Sequence, residues 1–239
     1  MEKLIRYMGQ FTRYLFQVGQ CALLAIFIKG IFSPLEKKSL EPITLKYMEE
    51  DNGPRIMQYF FSDGKWDEGG MRGMHQDLLL ENISEPDGMI TADGCDFPKK
   101  GNESVGVARQ HGGILGKTEN CQASVMIGYS GERGYGLIEG RLYLPKKWFE
   151  NEYRERFEKC KIPVGTTFKT KNEIAIEMIN KVSDELHFQA RWVGADSAFG
   201  SDYGFLDAIP DRYWYFAEVK KPASIPGCGD ALVPRGKQC

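Results

Sequence analysis

Apolar residues recur every three or four positions at the start of the chain, which is the spacing produced by one face of an α-helix. They are Leu4, Met8, Phe11, Leu15 and Val18. A second, mostly apolar helix is predicted over residues 21–32, and shorter helices follow. We therefore predict an N-terminal helical domain over residues 1–86. Short helices with tight breaks suit a helix-turn-helix DNA-binding domain, and they suit equally a bundle that only packs.

The pattern changes after Pro86 to short apolar or alternating runs, which are typical of β-strands. Strands are predicted over residues 89–92, 121–129, 135–144, 188–195 and 213–219. Helices are predicted from Pro145, over 170–182 and over 202–209, and Thr170 with Glu173 forms a capping box. The order indicates an α/β (α+β) fold, a mixed sheet with flanking helices. It is also the element order of the ribonuclease H-like fold.

The last twenty residues lose all periodicity. The segment from Lys220 to Cys239 is rich in Pro and Gly. Terminal segments of this composition are seldom ordered, so we predict a flexible tail over residues 220–239. This gives three predicted segments: 1–86, 87–219 and 220–239.

The overall charge excludes a whole-chain basic surface for nucleic acid. The 239 residues carry 31 Lys and Arg against 33 Asp and Glu, a formal net charge of −2. The charge is nevertheless uneven. Residues 97–119 carry four cations and two anions, whereas residues 41–96 carry four cations and thirteen anions. A local cationic segment therefore follows an acidic one.

Cysteine spacing and the longest apolar run both favour a cytoplasmic protein. The six cysteines include no Cys-x-x-Cys pair, so neither a zinc site nor a disulfide framework is predicted. The longest apolar run, residues 21–28, is far shorter than the roughly 20 residues that cross a bilayer. We expect no membrane partner, with a membrane-associated N-terminus as the lesser alternative.

Two aspartates follow predicted strands. Asp93 comes directly after the strand over 89–92, and Asp196 follows the strand over 188–195. An aspartate at a strand end often only caps a turn, and for either residue alone that is the simpler interpretation. If the two strands are neighbours, however, the carboxylates converge, and such oxygens suit Mg²⁺ or Mn²⁺. For the pair we favour the metal site.

The cationic segment is predicted to contact phosphate. Its cations are Lys99, Lys100, Arg109 and Lys117. A cationic loop near a carboxylate pair suits a polyanionic substrate bridged by metal, because phosphates need positive partners. A Lys-Lys pair in a turn is otherwise usually only a solvated loop.

Several ordered motifs resemble the DDE-superfamily transposases of bacterial insertion sequences. The first, residues 93–101, reads Asp-Gly-Cys-Asp-Phe-Pro-Lys-Lys-Gly. The others lie at residues 104–110, 116–117, 120–122, 141–145 with Trp148, 167–171, 195–200 and 214–219. The resemblance covers roughly residues 20–219. One departure is His111, where the family usually continues Arg-Gln with Tyr.

The resemblance implies a ribonuclease H-like core in which Asp, Asp and Glu hold divalent metal, Mg²⁺ or Mn²⁺. Asp93 matches the first acid and Asp196 the second. The family's third acid is a Glu on a helix beyond the last predicted strand, and no position here matches it, since Glu218 falls within that strand. The family also implies insertion-sequence ends and target DNA as partners, and it is compatible with a homo-oligomer.

Three hypotheses follow. The first is a DDE transposase truncated before its third catalytic acid, with a core incomplete at its C-terminus and weak or no activity. The second is a non-catalytic DNA-binding or dimerising fragment that modulates intact transposase. The third is a decayed gene product without a present role. Binding to insertion-sequence ends without cleavage would favour the second over the first.

Overall fold

The computed structural model describes residues 2–112 and 116–219. The chain divides into two compact units, the first ending at Asp77 and the second beginning at Leu78. The predicted functional domains, 1–86 and 87–219, stay predictions. The predicted flexible tail, residues 220–239, lies outside the described residues.

The first unit is helical. Its helices are α1 (Glu2–Gly9), α2 (Val18–Ile31), α3 (Leu40–Tyr47), α4 (Gly53–Ser62) and α5 (Glu68–Ile83), the last of which continues into the second unit. Its core contains buried Leu15, Met57 and Phe60, and the Phe60 ring packs edge-on against Trp66 at 4.9 Å between centroids. In the described part of the chain, no helix is long and apolar enough to cross a membrane.

The N-terminal apolar spacing does not form one helix. α1 ends at Gly9, whose carbonyl accepts a hydrogen bond from the Thr12 hydroxyl at 2.8 Å. α2 begins at Val18 with a capping box formed by Gln17 and Gln20. A glycine at the first helix end and a cap before the second therefore interrupt the regular spacing.

The second unit is built on a mixed six-stranded sheet. Its strands are β1 (Met89–Pro98), β2 (Ala108–Gly112), β3 (Lys117–Gly131), β4 (Gly134–Tyr143), β5 (Trp192–Ala195) and β6 (Trp214–Ala217). The order is β2-β3-β1-β5-β6, and β4 also pairs with β3. β2, β3, β4 and β1 pair antiparallel, whereas β1, β5 and β6 pair parallel. The predicted α/β fold with a mixed sheet is confirmed.

Helices flank this sheet. They are α6 (Arg154–Lys159), α7 (Lys171–Asp184), α8 (Ser197–Gly200) and α9 (Tyr203–Ala208). The predicted capping box is confirmed, since the Thr170 side chain accepts from the Glu173 backbone N–H and the Glu173 carboxylate accepts from the Thr170 N–H. The buried face of α7, including Met178 and Ile179, joins one hydrophobic core with the inner face of the sheet. The apolar spacing of α7 therefore fixes which face of the sheet is covered.

The segment after Pro145 differs from the predicted single helix. It forms two short 3₁₀ turns, Lys146–Phe149 and Asn151–Tyr153, before α6 begins at Arg154. Trp148 is buried there, and its indole N–H donates to the Val107 carbonyl at 3.0 Å. This contact anchors the segment to the chain just before β2.

Candidate functional site

The register of β1 with β5 places the two predicted aspartates side by side. Ala92 pairs with Ala195 in the parallel ladder, and Asp93 and Asp196 are the residues that follow them along the chain. Neighbouring strands lie about 4.8 Å apart, and the carboxyl ends of parallel strands meet at one edge of a sheet. The backbone topology therefore brings together two carboxylates that are 103 residues apart in the sequence.

Asp93 lies on β1 just beyond the last residue that pairs with β5. Ile90 and Ala92 point into the core, so the pleat directs Asp93 to the opposite face, where it is exposed. Beyond Ala92, β1 continues to Pro98 paired with β3 but no longer with β5. One carboxylate oxygen, Oδ1, accepts from the Gly94 N–H at 2.7 Å.

Asp196 begins helix α8. Its Oδ1 accepts from the N–H groups of Ala198 at 3.0 Å and Phe199 at 3.4 Å, so the aspartate is an N-cap. Among the described residues, Oδ2 of neither Asp93 nor Asp196 accepts a hydrogen bond. The capping and metal interpretations of Asp196 are compatible, because they use different oxygens.

Glu218 lies at the same edge of the sheet. β6 ends at Ala217, so Glu218 is the first residue after the strand rather than a member of it. Ala195 pairs with Ala217 in parallel register, and the Glu218 N–H donates to the Ala195 carbonyl at 3.1 Å. Within residues 2–112 and 116–219, however, no three His, Cys, Asp or Glu side chains group so as to hold a metal ion. The structure thus brings two predicted metal ligands together without a third.

The predicted phosphate-contacting cations lie on a different part of the second unit. Lys99 and Lys100 occupy the loop after β1, Arg109 lies on β2, and Lys117 begins β3. Lys99 is six residues beyond Asp93, which along an extended strand is about 20 Å. The cationic loop is therefore farther from the carboxylates than the sequence suggests.

These four cations are not equivalent. Lys117 pairs with Glu119 at 2.7 Å, and the hydrogen bond from Lys117 lowers the pKa of Glu119. Across the rest of the chain that the structure describes, neither Lys99 nor Lys100 forms an ion pair. Arg109 is exposed on β2 opposite Asn120. Lys99, Lys100 and Arg109 are thus available to an anionic partner, whereas Lys117 is already paired with Glu119.

Asp96 does not belong to the aspartate pair. It lies on the same face of β1 as the core residues Ile90 and Ala92, and its side chain is only 4% exposed. Within the residues that the structure describes, its Oδ1 has no hydrogen-bond partner, and it lies 3.7 Å from Lys171 Nζ. Burial raises the pKa of the nearby Cys121 thiol, and the Asp96 carboxylate raises it further. A thiol held protonated in this way is a poor nucleophile.

Comparison with known proteins agrees with the motifs and the fold. The sequence matches the family described as DDE superfamily endonuclease over residues 10–223. The chain belongs to this family, which confirms the resemblance seen in the sequence. Members of the superfamily generally use divalent metal ions.

A relative shows where the similarity is concentrated. The chain is similar to the probable transposase for insertion sequence element IS701 of Microchaete diplosiphon, with 29% identity over 183 residues. The match covers 76% of this chain and 44% of that protein. The chain therefore spans less than half the length of this relative.

Proposed function

We propose that this protein acts in insertion-sequence transposition, and that Asp93 and Asp196 contribute to a divalent-metal site for DNA strand cleavage and strand transfer. The observation that carries the proposal is the parallel register of β1 and β5, which sets the two aspartates side by side. In this proposal residues 87–219 supply the catalytic core, and residues 1–86 supply a DNA-binding domain.

The donor set fits a hard cation. Each aspartate keeps one carboxylate oxygen that accepts no hydrogen bond within the described residues, and both side chains are exposed. Exposed carboxylate oxygens suit Mg²⁺ or Mn²⁺ rather than softer metals. Bound divalent ions would supply charge stabilisation to the attacking and leaving oxygens of a phosphodiester.

The protein's own contribution is orientation. The cap bonds from Ala198 and Phe199 fix the rotamer of Asp196, and the Gly94 N–H restrains Asp93. Fixed carboxylates bind metal without first losing rotamer freedom. In the proposed complex Lys99, Lys100, Arg109 and Lys117 contact phosphates of the DNA backbone, which sets position rather than sequence preference.

Titration calorimetry with Mn²⁺ on the full chain tests the metal site. Asp93→Asn and Asp196→Asn should each weaken Mn²⁺ binding by about tenfold or more, because each removes a charged ligand. Asparagine keeps the cap in Asp196→Asn, so the fold is spared. Asp207→Asn, which changes an exposed carboxylate on α9, is the matched control. Unchanged Mn²⁺ affinity in both site variants would refute the site.

A second candidate function is a non-catalytic DNA-binding or dimerising protein that modulates intact transposase. One observation favours it: the described residues do not gather a third metal ligand. A strand-transfer assay with pre-cleaved insertion-sequence ends and Mg²⁺ separates the two functions. Strand transfer by the purified chain that Asp93→Asn abolishes supports catalysis. Binding to these ends without cleavage, together with inhibition of an intact transposase, supports modulation.

A further inference from the structure

One side chain of β3 holds the loop that carries the two unpaired lysines. The Asn120 amide donates to the Lys99 carbonyl at 2.8 Å and to the Gly101 carbonyl at 3.1 Å. The backbone carbonyl of Asn120 also accepts from the backbone N–H of Lys99 at 2.9 Å. Both amide protons of Asn120 are thus used, one on each side of Lys100.

A second amide holds the far end of the same loop. Gln122 lies two residues along β3, so it shares a face with Asn120. Its side chain donates to the Val105 carbonyl at 2.6 Å. Two residues further along, the Val107 carbonyl accepts from the Trp148 indole N–H. The segment between β1 and β2 is therefore fixed to β3 by the side chains of Asn120 and Gln122, in addition to the backbone hydrogen bond at Lys99.

The held loop carries two lysines whose ammonium groups have no acidic partner within the described residues. Lys100 is exposed, and Lys99 is half-buried. The amides bind only backbone carbonyls, so they restrain the chain on both sides of Lys100 and leave the ammonium groups free. An amide NH₂ suits this task because it offers two donors in a fixed plane.

We propose that Asn120 and Gln122 are positioning residues for DNA, which hold the loop from Lys99 to Val107 so that Lys99 and Lys100 meet phosphates of a bound duplex. The inference rests on the proposed function and extends it from the lysines to the groups that place them. β1 sets the phosphate contact about 20 Å from Asp93, and this distance matches the rise of roughly six base pairs.

Salt dependence of duplex binding by the full chain separates positioning from a purely structural role. Each phosphate contact contributes about 0.9 to the slope of log affinity against log salt, or about eightfold in affinity at 0.1 M salt. The double variant Lys99→Ala/Lys100→Ala should lower the slope by about 1.8. Asn120→Ala should lower it by about 1, because the loop no longer presents both ammonium groups together.

The decisive comparison places Asn120→Ala in the background that already lacks both lysines. If Asn120 acts only through these lysines, its substitution lowers the salt slope of DNA binding no further in this background. If it has an independent effect, the slope falls further. Gln122→Ala should follow the same pattern with a smaller loss. Asn172→Ala is the matched control, because it removes an amide hydrogen bond to the Asp202 carboxylate, outside both the loop and residues 1–86. We expect Asn172→Ala to keep the wild-type slope.

Hydrogen exchange of the loop amides accompanies the binding measurements. Asn120→Ala should speed exchange in residues 99–105 while β4 keeps its protection, which shows that the variant is folded. If the double lysine variant weakens binding but Asn120→Ala keeps the wild-type slope, positioning by Asn120 is refuted. If the double lysine variant binds like wild type, the proposed phosphate role of the lysines is refuted, and positioning falls with it.

Discussion

The two sides of the sheet in the second unit are built differently. On the parallel side, β5 and β6 have four residues each, and both are followed directly by an acidic residue. On the antiparallel side, β3 has 15 residues and pairs with β1, β2 and β4. The short strands β5 and β6 end at one edge of the sheet, where acidic residues follow them. The long strands β1 and β3 extend beyond that edge and carry the cationic loop.

The difference teaches how each kind of group is placed. Asp93 and Asp196 are neighbours because of the backbone register of β1 and β5. Lys99 and Lys100 are placed by side-chain hydrogen bonds, which a single substitution removes. We therefore expect the carboxylate pair to tolerate neighbouring substitutions that would displace the lysines.

The largest expected effect tests whether the two sides unfold together. Met178 on α7 is fully buried, and α7 contacts β1, β3 and β4. Met178→Ala should lower the free energy of unfolding by about 2–5 kcal/mol, through lost burial and the cavity left behind. Because both sides share one core, hydrogen exchange should show equal loss of protection in β3 and β5. Loss confined to β3 would show that the sides are independent.

A smaller effect should be specific to the parallel side. α8 contacts β5 and β6, and a Cβ on Gly200 would overlap the Glu218 carbonyl and lie 2.8 Å from the Ala217 Cβ. Gly200→Ala should lower the free energy of unfolding by about 1–3 kcal/mol, with protection lost first in β6. Gly94→Ala is the control, because nothing lies within 4 Å of its added Cβ. Equal stability of these two variants in urea denaturation would contradict the close approach.

Loss of a helix cap should have the next effect. The Thr170 hydroxyl accepts from the Glu173 N–H at the start of α7. Thr170→Ala should lower the free energy of unfolding by about 1 kcal/mol in urea denaturation. Thr170→Ser keeps the hydroxyl and should retain most of the stability. A serine variant as unstable as the alanine variant would show that the methyl group matters more than the cap.

The smallest effect concerns pH on the antiparallel side. A hydrogen bond from Lys169 and another from Arg141 of β4 lower the pKa of Glu177. A carboxylate whose pKa is lowered in the folded state stabilises the fold at pH values above its unfolded pKa of about 4.3. This stabilisation is lost as the pH falls through the folded-state pKa. Glu177→Gln should cost less than about 1 kcal/mol at pH 7, because the pair is partly exposed.

Urea denaturation at several pH values checks the predicted direction of the pH dependence. The difference in unfolding free energy between wild type and Glu177→Gln should shrink as pH falls below about 4.3. High salt at pH 7 should shrink it as well, since exposed ion pairs are screened. A difference that grows toward low pH would contradict the assigned ion pairs.

Sequence patterns predicted the parallel side better than the antiparallel loop. The apolar runs of β1 and β5 and the aspartates that follow these runs could be predicted, because buried strands are apolar and polar or turn residues follow them. The capping box before α7 has a local signature of the same kind. These features depend on residues close together in sequence.

The missed features depend on contacts distant in sequence. The sequence pattern does not predict β2, since only Ala108 and Gly112 of this strand are buried and neither has a large apolar side chain. The bonds from Asn120 and Gln122 span 21 and 17 residues, and amide side chains carry no sign of which carbonyl they will meet. The only signal was that both residues lie in one of the motifs shared with the transposases and alternate along a strand.

The continuous strand β1 has a mechanical consequence. Asp93 and the chain entering the Lys99 loop belong to the same ten-residue strand, and β3 pairs with it throughout. A paired strand resists stretching, so in the proposed function its length would set the spacing between the phosphodiester at the aspartate pair and the next backbone contact along a duplex. Lengthening β1 and β3 together by two residues each would move that contact by about 6.6 Å, close to two base pairs.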